Sequence, residues 1–108
     1  MFRDPDSGPP WVPPADVFLS TAGEFTIKVE LAGLRREDIE LCLEGNGIRI
    51  TGHRHDTDGS VARNRYVVPG ISWGWFDLLV NVPADYDLNR ATATYQNGLL
   101  RVLVPQKS

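Results

Sequence analysis

Apolar and polar residues alternate along most of this chain, in short segments separated by turn-forming residues. A period of two places every second side chain on one face of a strand, and segments recurring roughly every 8–12 residues are typical of a β-sandwich. Helical periodicity is confined to one predicted turn at Leu34–Asp38. The pattern therefore predicts an all-β protein with strands at Asp16–Ser20, Glu24–Glu30, Ile39–Glu44, Ile48–His53, Arg65–Val68, Gly74–Asn81, Ala91–Gln96 and Leu99–Val104.

The last two predicted strands are joined by Asn97 and Gly98, the strongest hairpin signal in the chain. Both central residues of a type I′ turn need positive φ, which Asn tolerates and Gly adopts freely. The strand after the turn is apolar on nearly both faces, with Leu100, Val102 and Val104 on one of them. We therefore expect this strand to lie inside the sandwich.

The segment from His55 to Ser72 is too long and polar for a hairpin loop, yet it contains the predicted strand Arg65-Tyr66-Val67-Val68. This strand has no partner close to it in sequence. Because an isolated strand leaves its backbone donors and acceptors unsatisfied, we expect it to pair with a sheet edge elsewhere. Exchange of the strand between two copies is a low-cost way of providing that edge.

The length of 108 residues suits a single domain. Five of the eight prolines lie in residues 1–14, so we expect an extended or disordered arm that does not pair in a sheet. Its apolar residues Phe2, Trp11 and Val12 are expected to pack back on their own domain. The sequence thus predicts an N-terminal arm at 1–14, a sandwich at 15–105 and a short end at 106–108.

The charge balance and the apolar content limit the classes of partner. A formal net charge of −3 and a pI near 5.2 argue against nucleic-acid binding, which needs a basic face. No apolar run is long enough for a membrane span, and the first residues lack the apolar core of a signal peptide. The single Cys42 suits a reducing compartment, so we expect a cytoplasmic protein.

No residues in the chain have the spacing of a catalytic site, so we expect neither enzymatic activity nor a cofactor. The His53-x-His55 pair could supply metal ligands together with Asp56 and Asp58. Its spacing is loose, however, and we favour histidines exposed at the end of a strand over a metal site.

Trp73 and Trp75 share one face of a predicted strand. Two exposed tryptophans could stack a sugar or a base, as they do in carbohydrate-binding modules. Because Trp buries a large apolar area, we favour one ring in the core and the other over an edge or a subunit contact.

Five segments in order resemble the α-crystallin domain of small heat shock proteins, over about Pro14 to Pro105. The most specific is the spacing A-x-x-x-N-G-L-L, from Ala93 to Leu100. The others resemble the family's opening hairpin with its L-P-G turn, its K-E-D-I step, its L-x-I-x-G strand and its Y-G-x-F…L-P strand. In this chain they are Asp16–Phe18 with Phe25–Gly33, Arg36–Ile39, Ile48–Gly52 and Trp73–Pro83.

The resemblance implies an immunoglobulin-like antiparallel β-sandwich whose long loop carries a dimerisation strand. It also implies an ATP-independent holdase chaperone of the stress response, which binds partly unfolded proteins through apolar surface and limits their aggregation. In the family a groove at the sandwich edge accepts an I-x-I tail, and the corresponding residues here are Leu41, Leu43, Ala93 and Tyr95. In a homodimer formed by strand exchange, Arg65-Tyr66-Val67-Val68 would join an edge formed by Asp16, Val17 and Phe18.

The chain departs from the family pattern at several positions. Ala32 replaces the proline of the L-P-G turn, and Leu78 replaces a basic residue that takes part in charged contacts at the family's subunit interface. A dimer of this chain must then depend more on apolar contact. The chain as given has a short arm and reaches Ser108 without an I-x-I tail, so we expect a dimer rather than a large assembly.

Two other functions remain open at this point. A CS-domain co-chaperone shares the sandwich and would dock on a folded chaperone, and a ligand-binding sandwich module would use its tryptophans. The A-x-x-x-N-G-L-L spacing and the strand-bearing loop favour the holdase over the first alternative. The second alternative would call for a secretion signal, which the sequence lacks.

Overall fold

The computed structural model describes residues 9–58 and 64–108 of the chain. Within these residues the chain forms short strands and two 3₁₀ turns, Arg36–Asp38 and Leu88–Arg90. The strands are β1 (Ala15–Leu19), β2 (Phe25–Glu30), β3 (Ile39–Glu44), β4 (Gly47–Arg54), β5 (Gly74–Asn81), β6 (Thr92–Gln96) and β7 (Leu99–Val104). Each lies within one residue of a strand predicted from the sequence.

The strands form two antiparallel sheets packed face to face. One sheet has four strands in the order β1-β2-β7-β6, and the other has three in the order β3-β4-β5. Residues at alternate positions of β2, β4 and β7 face the space between the sheets. The predicted all-β, immunoglobulin-like sandwich is therefore confirmed.

The core lies between the inner faces of the two sheets. Its fully buried side chains come from both sheets and include Ile27, Ile50 and Phe76. Phe76 lies opposite Gly52 in the β4–β5 register. A Cβ atom at Gly52 would lie 2.5 Å from Cζ of Phe76 and 2.1 Å from the carbonyl oxygen of Asp38, so only glycine fits there.

The β6–β7 turn has the backbone geometry that the sequence predicts. Asn97 has a φ of 54° and Gly98 a φ of 77°. The carbonyl oxygen of Gly98 also accepts a hydrogen bond of 2.8 Å from the backbone N–H of Leu31. The turn therefore fixes the β6–β7 register and holds the end of β2.

The prediction that the proline-rich arm takes no part in sheet pairing is wrong at Trp11. Trp11 forms an isolated parallel bridge with Phe76. Its N–H donates to the carbonyl of Trp75 over 3.0 Å, and its carbonyl accepts from the N–H of Asp77 over 3.0 Å. Since Trp11 has its own N–H, the prolines on either side do not prevent this pairing. Its ring packs back on the domain, 5.4 Å from the ring centroid of Phe76.

The predicted strand Arg65-Tyr66-Val67-Val68 does not form a strand within the single chain. All four residues are exposed, and Val67 and Val68 retain 94% and 83% of their accessible surface. Two adjacent valines at such exposure form an apolar patch that a second protein surface could cover. Pairing of this segment with a second subunit remains a prediction.

Candidate functional site

A groove of about 290 Å³ opens between the two sheets where β3 and β6 face each other. Both strands are at the edge of their own sheet. Three of the predicted groove residues line it, Leu41 and Leu43 from β3 and Ala93 from β6. Leu41 and Leu43 are 38% and 54% exposed, so their apolar surface is accessible from the groove mouth.

The floor and one rim of the groove come from residues that the sequence analysis did not assign to it. Ile48 and Val102 form the floor, and they are the cross-strand partners of Leu43 and Ala93. The alternation of β4 and β7 could have revealed both. Leu88 lies on the rim in a 3₁₀ turn whose position no periodic pattern marks.

That turn begins at Asp87, whose side chain accepts a hydrogen bond of 3.1 Å from the N–H of Asn89. An aspartate in this position satisfies an N–H at the start of a helical turn that would otherwise lack a partner. The cap therefore holds Leu88 and Asn89 at the groove rim.

Tyr95 is the predicted groove residue that the structure places elsewhere. Its ring is half-buried against the core, and it does not line the groove. Its hydroxyl lies 2.5 Å from the carbonyl oxygen of Leu31 and 3.2 Å from that of Leu34. Tyr95 shares the inner face of β6 with Ala93, but its length carries the hydroxyl to the backbone after β2. The hydroxyl therefore connects β6 to the segment that follows β2.

The predicted receiving edge, Asp16-Val17-Phe18, lies on β1 at the other end of the four-stranded sheet. Within the described residues β1 pairs on one side only, with β2. All five residues of β1 are exposed, including Val17 at 47% and Phe18 at 39%. An edge strand with accessible apolar side chains can accept another strand.

The loop segment at Tyr66 is tied back to the residues that follow β4. The hydroxyl of Tyr66 donates a hydrogen bond to the Asp56 carboxylate. This bond, with the burial of the phenol and the negative charges of Asp56 and Asp58, raises the pKa of Tyr66 to about 12. The phenol therefore stays protonated at physiological pH.

Charged residues are arranged on the outer face of the three-stranded sheet. Arg49 donates from Nη1 to both carboxylate oxygens of Asp77, over 2.7 and 2.8 Å, and it also binds Glu44. The hydrogen bond from Arg49 is the main reason that the pKa of Glu44 is lowered. Leu78, where the resemblance implies a basic residue in the family, packs against the core. These ion pairs therefore connect strands within one subunit.

His53 and His55 lie on one face at the end of β4, with ring centroids 4.1 Å apart. His53 also meets Trp75 edge to face at 4.9 Å. Burial is the main cause of the lowered pKa of His53, and the nearby His55 lowers that pKa further. In the part of the chain that the structure describes, no group of three or more His, Cys, Asp and Glu side chains could hold a metal ion.

The described residues also contain no helix long and apolar enough to cross a membrane.

Cys42 is an exposed free thiol on β3. Trp75 is half-buried and Trp73 is 40% exposed, so the expectation that one of the two rings lies in the core is wrong.

The sequence that folds into this sandwich matches one protein family. The sequence model of the Hsp20/alpha crystallin family matches residues 18–108. The chain belongs to this family. Membership favours this family over the CS-domain alternative.

Relatives and solved structures agree with this assignment. Small heat shock protein C2 of Rickettsia felis is 24% identical over 89% of this chain and 61% of its own length. Spore protein SP21 of Stigmatella aurantiaca is 27% identical over 93% of this chain and 59% of its own length. The chain thus spans about three-fifths of these curated relatives.

Among solved structures, a small heat-shock protein from Xylella fastidiosa superimposes with a TM-score of 0.79 at 24% identity, covering 91% of this chain and 88% of that one. Heat shock protein 16.0 from Schizosaccharomyces pombe gives a TM-score of 0.73 at 25% identity, covering 88% and 86%. These structures share the sandwich found here.

Proposed function

We propose that this chain is an ATP-independent holdase of the cytoplasm, which binds partly unfolded proteins through apolar surface and limits their aggregation. The observation that carries the proposal is the open apolar groove between the edge strands β3 and β6. Protein interiors expose contiguous apolar surface when they unfold, and such surface drives aggregation. A protein that covers it needs affinity for the unfolded state and no nucleotide cycle.

The groove suits an extended client segment. Leu41 and Leu43 are two residues apart on β3, the same spacing at which an extended chain presents side chains to one face. Apolar side chains of the client would enter the groove while its backbone pairs with an edge strand. Burying one large aliphatic side chain contributes about 1.5–3 kcal/mol, so one or two such contacts give weak and reversible binding.

The second part of the proposal is a homodimer formed by strand exchange. Arg65-Tyr66-Val67-Val68 of one subunit would pair with the β1 edge at Asp16-Val17-Phe18 of the other. The exposure of Val67 and Val68 and the one-sided pairing of β1 support this arrangement. Adjacent residues of a strand point to opposite faces, so pairing would place one of the two valines on the inner face of the partner's sandwich and remove its apolar surface from water.

Light scattering from a heat-stressed client, in buffer without nucleotide, tests the holdase directly. We expect the protein to suppress scattering in proportion to its concentration, and addition of ATP to change nothing. An inert protein of similar size and charge serves as the control. Suppression that requires ATP, or suppression no greater than that by the control, would rule the holdase out.

A further inference from the structure

Arg54 is a charged residue on the inner side of β4, and it is only 6% exposed. Its guanidinium carbon lies 4.4 Å from the ring centroid of Trp11 and 5.2 Å from that of Trp73. Both distances are within the range of a cation–π interaction, which is stronger where water is excluded. The two tryptophans thus help to accommodate a charge inside the domain.

The same guanidinium holds two backbone carbonyls that are far apart in sequence. Its Nε and Nη2 atoms donate to the carbonyl oxygen of Ser72 over 3.0 and 2.7 Å. Its Nη1 atom donates to the carbonyl oxygen of Ala32 over 3.2 Å. This arrangement needs the planar fork of arginine, which a lysine ammonium cannot reproduce.

These contacts bring three segments together at one side chain: the N-terminal segment at Trp11, the turn after β2 at Ala32, and Ser72-Trp73, where the loop returns to β5. The N-terminal segment has a second link to this return point, because Nε1 of Trp11 donates to the carbonyl of Gly74 over 3.1 Å. Ser72 is four residues after Val68 in the chain. The position of Arg54 therefore determines where the proposed exchange strand leaves the sandwich.

We propose that Arg54 is a positioning residue for subunit exchange, and that through Trp11 it makes the affinity of the dimer depend on docking of the N-terminal segment. This inference rests on the strand-exchange dimer proposed above. A fixed return point restricts the directions available to residues 65–68, so less conformational entropy is lost when they pair with a partner. A loosened return point increases that loss.

The test compares Arg54→Lys, which keeps the charge but not the fork, with Arg49→Lys, which alters an arginine on the outer face of the same strand. Sedimentation analysis gives the dimer Kd of each. Arg54→Lys is expected to raise the Kd at least tenfold, and Arg49→Lys to leave it within about twofold. Trp11→Leu keeps an apolar contact but removes the aromatic ring, and it is also expected to raise the dimer Kd.

Amide hydrogen exchange provides a readout that does not need a dimer. The N–H of Asp77 is bonded to the carbonyl of Trp11, so its exchange rate reports docking of the N-terminal segment. In Arg54→Lys this amide should exchange faster while the amides of β2 and β7 keep wild-type rates. A wild-type protein that is monomeric at all concentrations would overturn strand exchange. The Asp77 amide would still test whether Arg54 holds the N-terminal segment in place.

Two results would overturn the role of Arg54. The first is an unchanged Kd in both Arg54→Lys and Trp11→Leu. The second is a uniform acceleration of exchange across the sandwich in Arg54→Lys, which would mean that the residue contributes only to general stability. If Arg54→Lys does not fold, Trp11→Leu alone decides between these outcomes, because an unchanged Kd and an unchanged Asp77 amide would refute the coupling.

Discussion

At the scale of single residues, the clearest constraint on this domain is at Gly52. The Cβ of an alanine would overlap the Asp38 carbonyl, a backbone group that cannot move aside without displacing the 3₁₀ turn before β3. Overpacking of this kind typically costs about 1–3 kcal/mol. We expect Gly52→Ala to lower the free energy of unfolding by at least that amount, as measured by urea denaturation.

Gly70 is a matched control for that experiment. A Cβ at Gly70 would meet nothing within 4 Å, and its φ is outside the range that disfavours side chains. Gly70→Ala should therefore leave the unfolding midpoint within the experimental error. Equal stability losses in the two variants would mean that the close approach at Gly52 is not what limits the domain.

His53 should make stability depend on pH. Its pKa is lowered from 6.5 in the folded chain by burial and by His55, while Asp38 opposes the shift. The unfolded chain then binds a proton more readily, so stability is complete above the unfolded pKa and declines as pH falls through it toward the folded pKa. Thermal melts between about pH 7.5 and 5.5 should show a falling midpoint.

The two histidines can be separated by substitution. His53→Gln removes the half-buried imidazole and should flatten the pH dependence. His55→Gln removes only the smaller electrostatic contribution, so most of the dependence should remain. If the two variants have the same pH dependence as wild type, the carboxylates and not His53 determine it.

At the scale of elements, the Asn97-Gly98 turn controls the pairing of β6 with β7. A β-branched residue at positive φ costs about 1–3 kcal/mol. At Gly98 a Cβ would in addition lie 3.0 Å from Cα of Ala32. We expect Gly98→Val to lower the thermal midpoint by roughly 5–15 °C. A midpoint within a degree of wild type would contradict the turn geometry.

The groove wall formed by β6 depends on that turn, and the proposed holdase assigns the turn no direct contact with clients. Chaperone activity of Gly98→Val should therefore fall only in proportion to the folded fraction. A variant that is fully folded and yet fails to protect clients would show that the turn contacts clients itself.

The sequence predicts strands better than it predicts contacts at their ends. Alternation identified β4 and β5 because one face of each is buried, and it identified β3 although the residues of β3 after Ile39 are exposed in the single chain. It could not reveal that Trp11 pairs with β5, since the surrounding prolines argue against strand structure. Nor could it show that Arg54 is on the inner side of β4, because a charged residue there interrupts the pattern that identifies a core face.

The candidate site was predictable in part for the same reason. The alternation of apolar residues correctly predicts which side chains lie on the inner side of a strand. It therefore placed Leu41, Leu43 and Ala93 in the groove. Alternation gives no information on how far a side chain extends. It could not show that Tyr95 places its hydroxyl on the backbone carbonyl of Leu31, while Ala93 on the same face lines the groove. Leu88 belongs to a turn, where no period applies.

At the scale of the whole molecule, the loop is the element whose removal should separate folding from assembly. Arg54 and Gly74 are paired partners at the end of the β4–β5 hairpin, so a short connection can join these strands. Deleting Asp56–Val68 should leave a folded sandwich that runs as a monomer in size-exclusion chromatography with light scattering. A dimer of unchanged mass and affinity would rule out strand exchange through this loop.

The central claim is that the groove between β3 and β6 holds unfolded clients. The most direct measurement is client scattering under heat stress with Leu43→Gln, at a residue that lines the groove and is 54% exposed. Leu79→Gln is the matched control, because Leu79 is 41% exposed and does not line the groove. Both variants should fold, since neither side chain is buried.

Loss of about 1 kcal/mol of apolar contact weakens binding roughly fivefold. The account therefore predicts that about five times more Leu43→Gln than wild type is needed to halve client scattering, and that Leu79→Gln matches wild type. Equal protection by wild type and both variants would contradict the account and place client binding elsewhere on the molecule.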